Sequence, residues 1–167
     1  MWKLCSEYLL REYNSHLGSE VDYTGKTILD IGADVGTTTE YFLEHGAKFV
    51  YAVEGNENNH NTLHVNIRTH FSDRAICLPR IWIEKTEDFI QLISLWDKCD
   101  IVKVDIEGAE VHLLHVPDYI FNIVPEYVIE FHSETIGKLL KQKLLQNGYI
   151  IRGEGICDVL YAKRGDK

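Results

Sequence analysis

Three short groups of residues in this 167-residue chain combine types and spacings that chemistry can use. The first is Asp30-Ile31-Gly32-Ala33-Asp34-Val35-Gly36, an apolar run that breaks into two glycines and two acids. Glycine at 32 and 36 lets the backbone turn sharply and come close to a ligand. The turn opens into a segment with helical character from Thr37. It departs from the dinucleotide pattern G-x-G-x-x-G because position 34 is Asp, not Gly. An acid there repels a pyrophosphate at a helix N-terminus, where anions otherwise gain. Asp30 and Asp34 together suit a ligand with a positive centre, such as a sulfonium. A plain strand-to-helix turn would also have this composition.

The second group is Val53-Glu54-Gly55-Asn56, about twenty residues beyond the glycine turn, where a carboxylate can accept both ribose hydroxyls of an adenosine. An acid favoured by the helix macrodipole is the plainer account of it. Taken together, the two groups point to a nucleoside-bearing cofactor held by Asp30, Gly32, Ala33, Asp34, Gly36, Glu54, Gly55 and Asn56.

The third group is Asp105-Ile106-Glu107-Gly108-Ala109-Glu110. Lys103, Asp105 and Glu107 alternate onto one side of an extended segment, as do Glu130 and His132 further on. If the two segments are neighbouring strands, their exits gather three carboxylates and an imidazole. Such crowding is costly in a core, so a cleft is its natural place. In one reading His132, Asp105 or Glu107 is a general base that takes a proton from an attacking hydroxyl. In a second the cluster holds a divalent metal. In a third an acid binds backbone amides with Lys103 as its partner. The first is the expectation adopted, with no metal ligand assigned.

The remaining candidates are plainer. His60 and His64 lie one helical turn apart in an Asn-rich, solvated stretch without a third ligand. His112 and His115 are ordinary helix residues, and Trp82 and Trp96 are expected to fill core or near-core space. Cys5, Cys77, Cys99 and Cys157 form no C-x-x-C pair and read as reduced, mostly buried thiols. A formal charge of −9 argues against a nucleic-acid partner, which is held mainly by clustered Lys and Arg.

Hydrophobic periodicity supplies the elements that must position these groups. Residues 2–17 carry Leu4, Tyr8 or Leu9, and Tyr13 at helical spacing. Apolar runs at 27–31, 49–53, 101–106 and 127–131 read as buried strands, with another strand inside 75–83 interrupted by Pro79. Helical patterns at 37–45, 56–71, 86–96 and 134–147 alternate with them. Thr86 is a candidate cap, and a further helix begins near Pro117. The tail reads as two strands joined by Gly153-Glu154-Gly155. This order predicts an α/β fold, a Rossmann-like doubly wound and mostly parallel sheet with an antiparallel C-terminal hairpin strand. Residues 1–167 form one domain, with a helical extension at 1–26 and the core at 27–163. Ligands are expected beyond the carboxyl ends of the strands.

With these elements in place, Ile28-Leu29-Asp30-Ile31-Gly32-Ala33-Asp34-Val35-Gly36 resembles the D-x-G-A-N-x-G cofactor motif of class I methyltransferases. Lys103-Val104-Asp105-Ile106-Glu107-Gly108-Ala109-Glu110 resembles the K-x-D-x-E-G-x-E signature of the FkbM family. Val128-Ile129-Glu130-Phe131-His132 and Gln146-Asn147-Gly148-Tyr149 are similar to that family's E-x-H strand and N-G-[YF] step. The resemblance implies S-adenosylmethionine as cofactor and O-methylation of a sugar or other small hydroxylated metabolite. It also implies that Asp30, Gly32 and Gly36 shape the methionine pocket, Glu54 holds the ribose and Asp105 borders the reacting methyl. Asp34 replaces the family's Asn. The N-terminal cap and the segment between the third and fourth strands, where substrate contacts often lie, are short.

The alternatives are a nicotinamide-dependent oxidoreductase and a non-catalytic S-adenosylmethionine-binding module. The expected partner is a small-molecule substrate rather than nucleic acid, with a homodimer completing the pocket. Charges interrupt the first residues where a signal peptide needs an apolar run, and no stretch is long enough to span a membrane, so the chain is expected in the cytoplasm.

Overall fold

The computed structural model describes residues 21–95, 98–154 and 159–165. The helix expected at 2–17, Trp96, Cys5 and Cys157 lie outside them. The first five strands are short, nearly continuous apolar runs, as strands buried on both faces of a parallel sheet must be. They are β1 (Thr27–Ile31), β2 (Phe49–Val53), β3 (Ala75–Cys77), β4 (Ile101–Val104) and β5 (Glu126–Glu130). β6 (Tyr149–Glu154) and β7 (Val159–Arg164) form the closing hairpin.

The seven strands are ordered β3-β2-β1-β4-β5-β7-β6. β1 pairs in parallel with both β2 and β4, and β7 runs antiparallel between β5 and β6. The chain therefore builds outward from β1 in one direction, then returns to build from β4 in the other. That reversal opens a crevice between the carboxyl ends of β1 and β4. The hairpin goes in with its second strand innermost, so β6, not β7, forms the edge. β3 is only three residues long, stopping before Pro79, which has no amide to give a ladder.

Two apolar layers sandwich the sheet, divided by the period of two along each strand. Leu29, Ile31, Val102 and Val104 pack with Phe89, Leu92, Phe121, Leu140 and Leu144 on one face. Ile28, Val50, Ala52 and Ile101 pack with Tyr41, Phe42, Leu63 and Ile67 on the other. Each fully buried side chain of this size contributes about 1.5–3 kcal/mol. These helices are α1 (Thr37–Glu44), α2 (Glu57–His70), α3 (Thr86–Leu95), α4 (Asp118–Phe121) and α5 (Glu134–Gln146), with a 3-10 helix at Ala109–His115.

Local chemistry sets the helix ends. The side chain of Asn56 caps α2 by accepting from the amides of Asn58 and Asn59. Thr86 is the first residue of α3 rather than its cap, and its hydroxyl donates to the carbonyl of His112. Asp88 serves that helix start instead, accepting from the amides of Glu84 and Lys85. Among the described residues no helix is long and apolar enough to cross a membrane.

Candidate active site

A cavity of about 480 Å3 fills the crevice beyond β1, β2 and β4, within the usual range of small-molecule sites. Gly32 lies at its floor with φ +82°, and a Cβ there would stand 1.7 Å from the carbonyl oxygen of Asp105. Only glycine lets the exits of β1 and β4 approach so closely. The amides of Gly32 and Ala33 both donate to the carbonyl of Val53 at 3.0 Å, which holds the turn against β2. Asp34 follows in the left-handed region at φ 50°, a conformation that Asp tolerates better than most side chains.

The carboxylate of Glu54 joins two turns. Oε2 accepts from the amide of Asp34 at 2.9 Å, and Oε1 accepts from the amide of Asn56 at 2.6 Å. Each oxygen keeps a further lone pair for a ligand hydroxyl. Of the residues expected to hold a cofactor, Gly32, Asp34, Glu54, Gly55 and Asn56 line the cavity.

Asp30 lies beneath the turn, fully buried, and is absent from the cavity wall. Its Oδ2 accepts from the hydroxyls of Thr38 at 2.7 Å and Thr39 at 3.0 Å, both on α1. Its Oδ1 lies 3.3 Å from the Lys103 ammonium, which also donates to the Gly32 carbonyl at 2.7 Å and lies 3.5 Å from Asp105. Asp30 and Lys103 thus pin the turn from below. Ala33 is buried and Gly36 opens α1 at φ 104°, so both shape the backbone behind the wall.

Trp82 was expected in or near the core, yet it is 56% exposed at the mouth of the cavity. A Cβ on Gly55 would meet its ring at 2.6 Å, so the indole rests directly on that glycine. Arg80 braces the same segment by donating to the Gly55 carbonyl at 3.1 Å. The irregular stretch after β3 carries Trp82 there, flanked by Ile81 and Ile83. The Pro79 interruption was its one sequence signal.

The acids after β4 and the histidine after β5 do converge. His132 Nε2 lies 3.5 Å from Glu107 Oε2, 3.8 Å from Asp105 Oδ1 and 4.0 Å from Glu130 Oε1. Donor atoms of Asp105, Glu107 and His132 all fall within 4.8 Å of one another. Glu107 is held in the left-handed region at φ 54°, beside Gly108 at φ 102°. Partial burial of the His132 ring lowers its pKa, but Glu110, Glu107 and Asp105 raise it by more, leaving it above the ordinary 6.5. His60 turns away to other partners, its Nε2 3.0 Å from the Leu78 carbonyl and 3.5 Å from Cys77 Sγ.

No known protein-family profile matches the chain. It is 32% identical over 103 residues to "Uncharacterized protein 65" of a Sulfolobus islandicus filamentous virus (isolate Iceland/Hveragerdi). That match covers 62% of this chain and 58% of the viral protein. Among solved structures, the Bacillus subtilis M1A22 tRNA methyltransferase TrmK superposes with a TM-score of 0.66 at 15% identity, covering 99% of this chain and 68% of that one. Synechocystis magnesium protoporphyrin IX methyltransferase ChlM, with bound S-adenosylhomocysteine, gives 0.60 at 14%, covering 95% and 78%. Methanococcus jannaschii fibrillarin, a pre-rRNA processing protein, gives 0.63 at 15%, covering 88% and 70%. The chain has the Rossmann-like fold that the methyltransferases among these structures share.

Proposed function

We propose that the chain is an S-adenosylmethionine-dependent methyltransferase that methylates a hydroxyl of a small acceptor, as its resemblance to the FkbM family implies. The observation that carries this reading is the Glu54 carboxylate. It sits at the cavity mouth between two glycine-bearing turns, with spare lone pairs and an indole nearby. An adenosine fits that arrangement. Glu54 would accept the two ribose hydroxyls, and Trp82, Ile81 and Ile83 would cover the base. Asp34 and Asp105 put negative charge on the cavity wall, where a sulfonium and an amino group gain and a pyrophosphate loses.

When bound, this cofactor supplies an electrophilic methyl group, and the protein's work is alignment and proton transfer. Asp105 borders the cavity on the side where Glu107 and His132 converge. An acceptor hydroxyl placed there gives its proton to His132 Nε2 or to an Asp105 oxygen as it attacks. Among the described residues lining the cavity there is no Lys or Arg. Within the cavity itself a phosphate therefore meets no cation among the described residues, and the wall suits a small neutral or cationic group.

The decisive test is calorimetry of wild type and Glu54→Ala with S-adenosylhomocysteine, S-adenosylmethionine and NAD. The expected result is binding of both sulfur nucleosides by wild type, weakened about 10- to 100-fold by the substitution. Tight NAD binding without a response to either sulfur nucleoside would assign the cavity to a nicotinamide oxidoreductase instead. If the sulfur nucleosides bind, a screen for methyl transfer to sugars, other small hydroxylated compounds and RNA tests the acceptor reading, and transfer to RNA alone would refute it.

A further inference from the structure

Glu110 is fully buried in the first turn of the 3-10 helix, although Asp105 and Glu107 just before it line the cleft. Burying a carboxylate without compensating donors is strongly unfavourable. Here one oxygen, Oε1, meets three of them. It accepts from the amide of Ile106 at 3.0 Å and of Gly108 at 3.2 Å, and it lies 3.0 Å from His132 Nδ1. The two amides belong to the turn that carries Glu107, so one carboxylate fixes both the β4 exit and the imidazole after β5.

Which ring nitrogen of a histidine carries the proton is set by the partner of the other. Oε1 of Glu110 already accepts from two amides, so at this oxygen Nδ1 is the donor. Nε2 is thereby left on the opposite side of the ring, facing Glu107, Asp105 and Glu130. We propose that Glu110 is a positioning residue: its buried carboxylate clamps Nδ1 of His132 and so presents Nε2 to the acceptor side of the cleft. The inference rests on the methyltransferase reading for the task Nε2 performs, but the clamp itself can be measured without any acceptor. The groups facing His132 are Asp105 and Glu107 from the β4 exit, Glu110 from the 3-10 helix and Glu130 from β5. Of these, Glu110 alone contacts Nδ1.

The test is long-range nitrogen NMR of the histidine rings in the full chain, with His132→Asn assigning the signal among the eight histidines. Wild-type His132, once neutral, is expected as the Nδ1–H tautomer. Glu110→Gln keeps an accepting oxygen but removes the charge, so the tautomer should persist while the ring titrates at lower pH. Glu110→Ala removes both, and the Nδ1–H signal should give way to Nε2–H. A wild-type ring already in the Nε2–H form overturns the proposal. So does a Glu110→Gln protein whose His132 titrates as in wild type, and this variant decides the question if Glu110→Ala does not fold. Calorimetry with S-adenosylhomocysteine on the same samples separates the two readings. A protein with the Nδ1–H tautomer that binds no sulfur nucleoside counts against the methyltransferase and leaves the clamp standing.

Discussion

Glu54, at the end of β2, takes the backbone amide of Asp34 on Oε2 at 2.9 Å across the gap from the β1 turn. The bond helps hold Asp34 at φ 50° and explains why two turns distant in sequence act as one surface. Charge-assisted bonds of this kind contribute about 1.5–3 kcal/mol each. Glu54→Gln retains one accepting oxygen but turns an NH2 toward an amide that needs an acceptor. The expected order of affinity for S-adenosylhomocysteine is therefore wild type, then Glu54→Gln, then Glu54→Ala, as read by calorimetry. Equal affinity in all three would remove Glu54 from the ligand site.

Trp82 gives a prediction of opposite character, in which binding changes and stability barely does. Exposed side chains contribute little to folding, about 0.5 kcal/mol or less. Stacking a base on an aromatic ring contributes about 1–3 kcal/mol. Trp82→Ala should weaken S-adenosylhomocysteine about 5- to 100-fold by calorimetry, with a urea midpoint close to wild type. A large loss of stability with unchanged affinity would make Trp82 a packing residue after all.

The pair Asp30–Lys103 should behave in the reverse sense. Both side chains are almost wholly buried, and removing one partner of such a pair costs about 3–5 kcal/mol because the other charge is stranded. Lys103→Met alone should destabilise by about that much in urea unfolding. Adding Asp30→Asn should recover a large part of the loss, since the neutral amide no longer needs the ammonium. Additive losses in the double variant would show that the two charges are not coupled.

For His132 the sign of the pH dependence is fixed by its acidic surroundings. Its folded pKa lies above the ordinary 6.5, so protonation favours the folded state. That contribution is fully present below about 6.5, the unfolded value, and is lost as pH rises through the higher folded value. The stability difference between wild type and His132→Asn should therefore be larger near pH 6 than near pH 9, as measured by urea unfolding at each pH. A difference that grows with pH would contradict the arrangement of Glu110, Glu107 and Asp105 around the ring.

How far the sequence carried these conclusions depended on whether a residue's role was local. The glycine turn at 32–36, the acid at 54 and the acids after β4 are legible because strand exits in an open sheet converge on one crevice whatever the side chains. Asp30 shows the limit. The strand's period of two places it on the face opposite Leu29 and Ile31, but only the packing of α1 and the pairing with β4 show that Thr38, Thr39 and Lys103 absorb its charge. Trp82 escaped because its place is defined by a glycine 27 positions earlier in the chain (82 against 55). The insertion of β7 between β5 and β6 is a matter of pairing partners, about which a hairpin's own composition says nothing.

The contact between Gly32 and the Asp105 carbonyl has a consequence for how this cleft can vary. At that seam main chain meets main chain, with no side chain between them to lengthen, shorten or swing. The span from the β1 turn and Glu54 to the acids beyond β4 is thus a fixed gauge built into the sheet. Replacing residues around the rim can change what the cleft accepts, while the reach from one bank to the other stays the same.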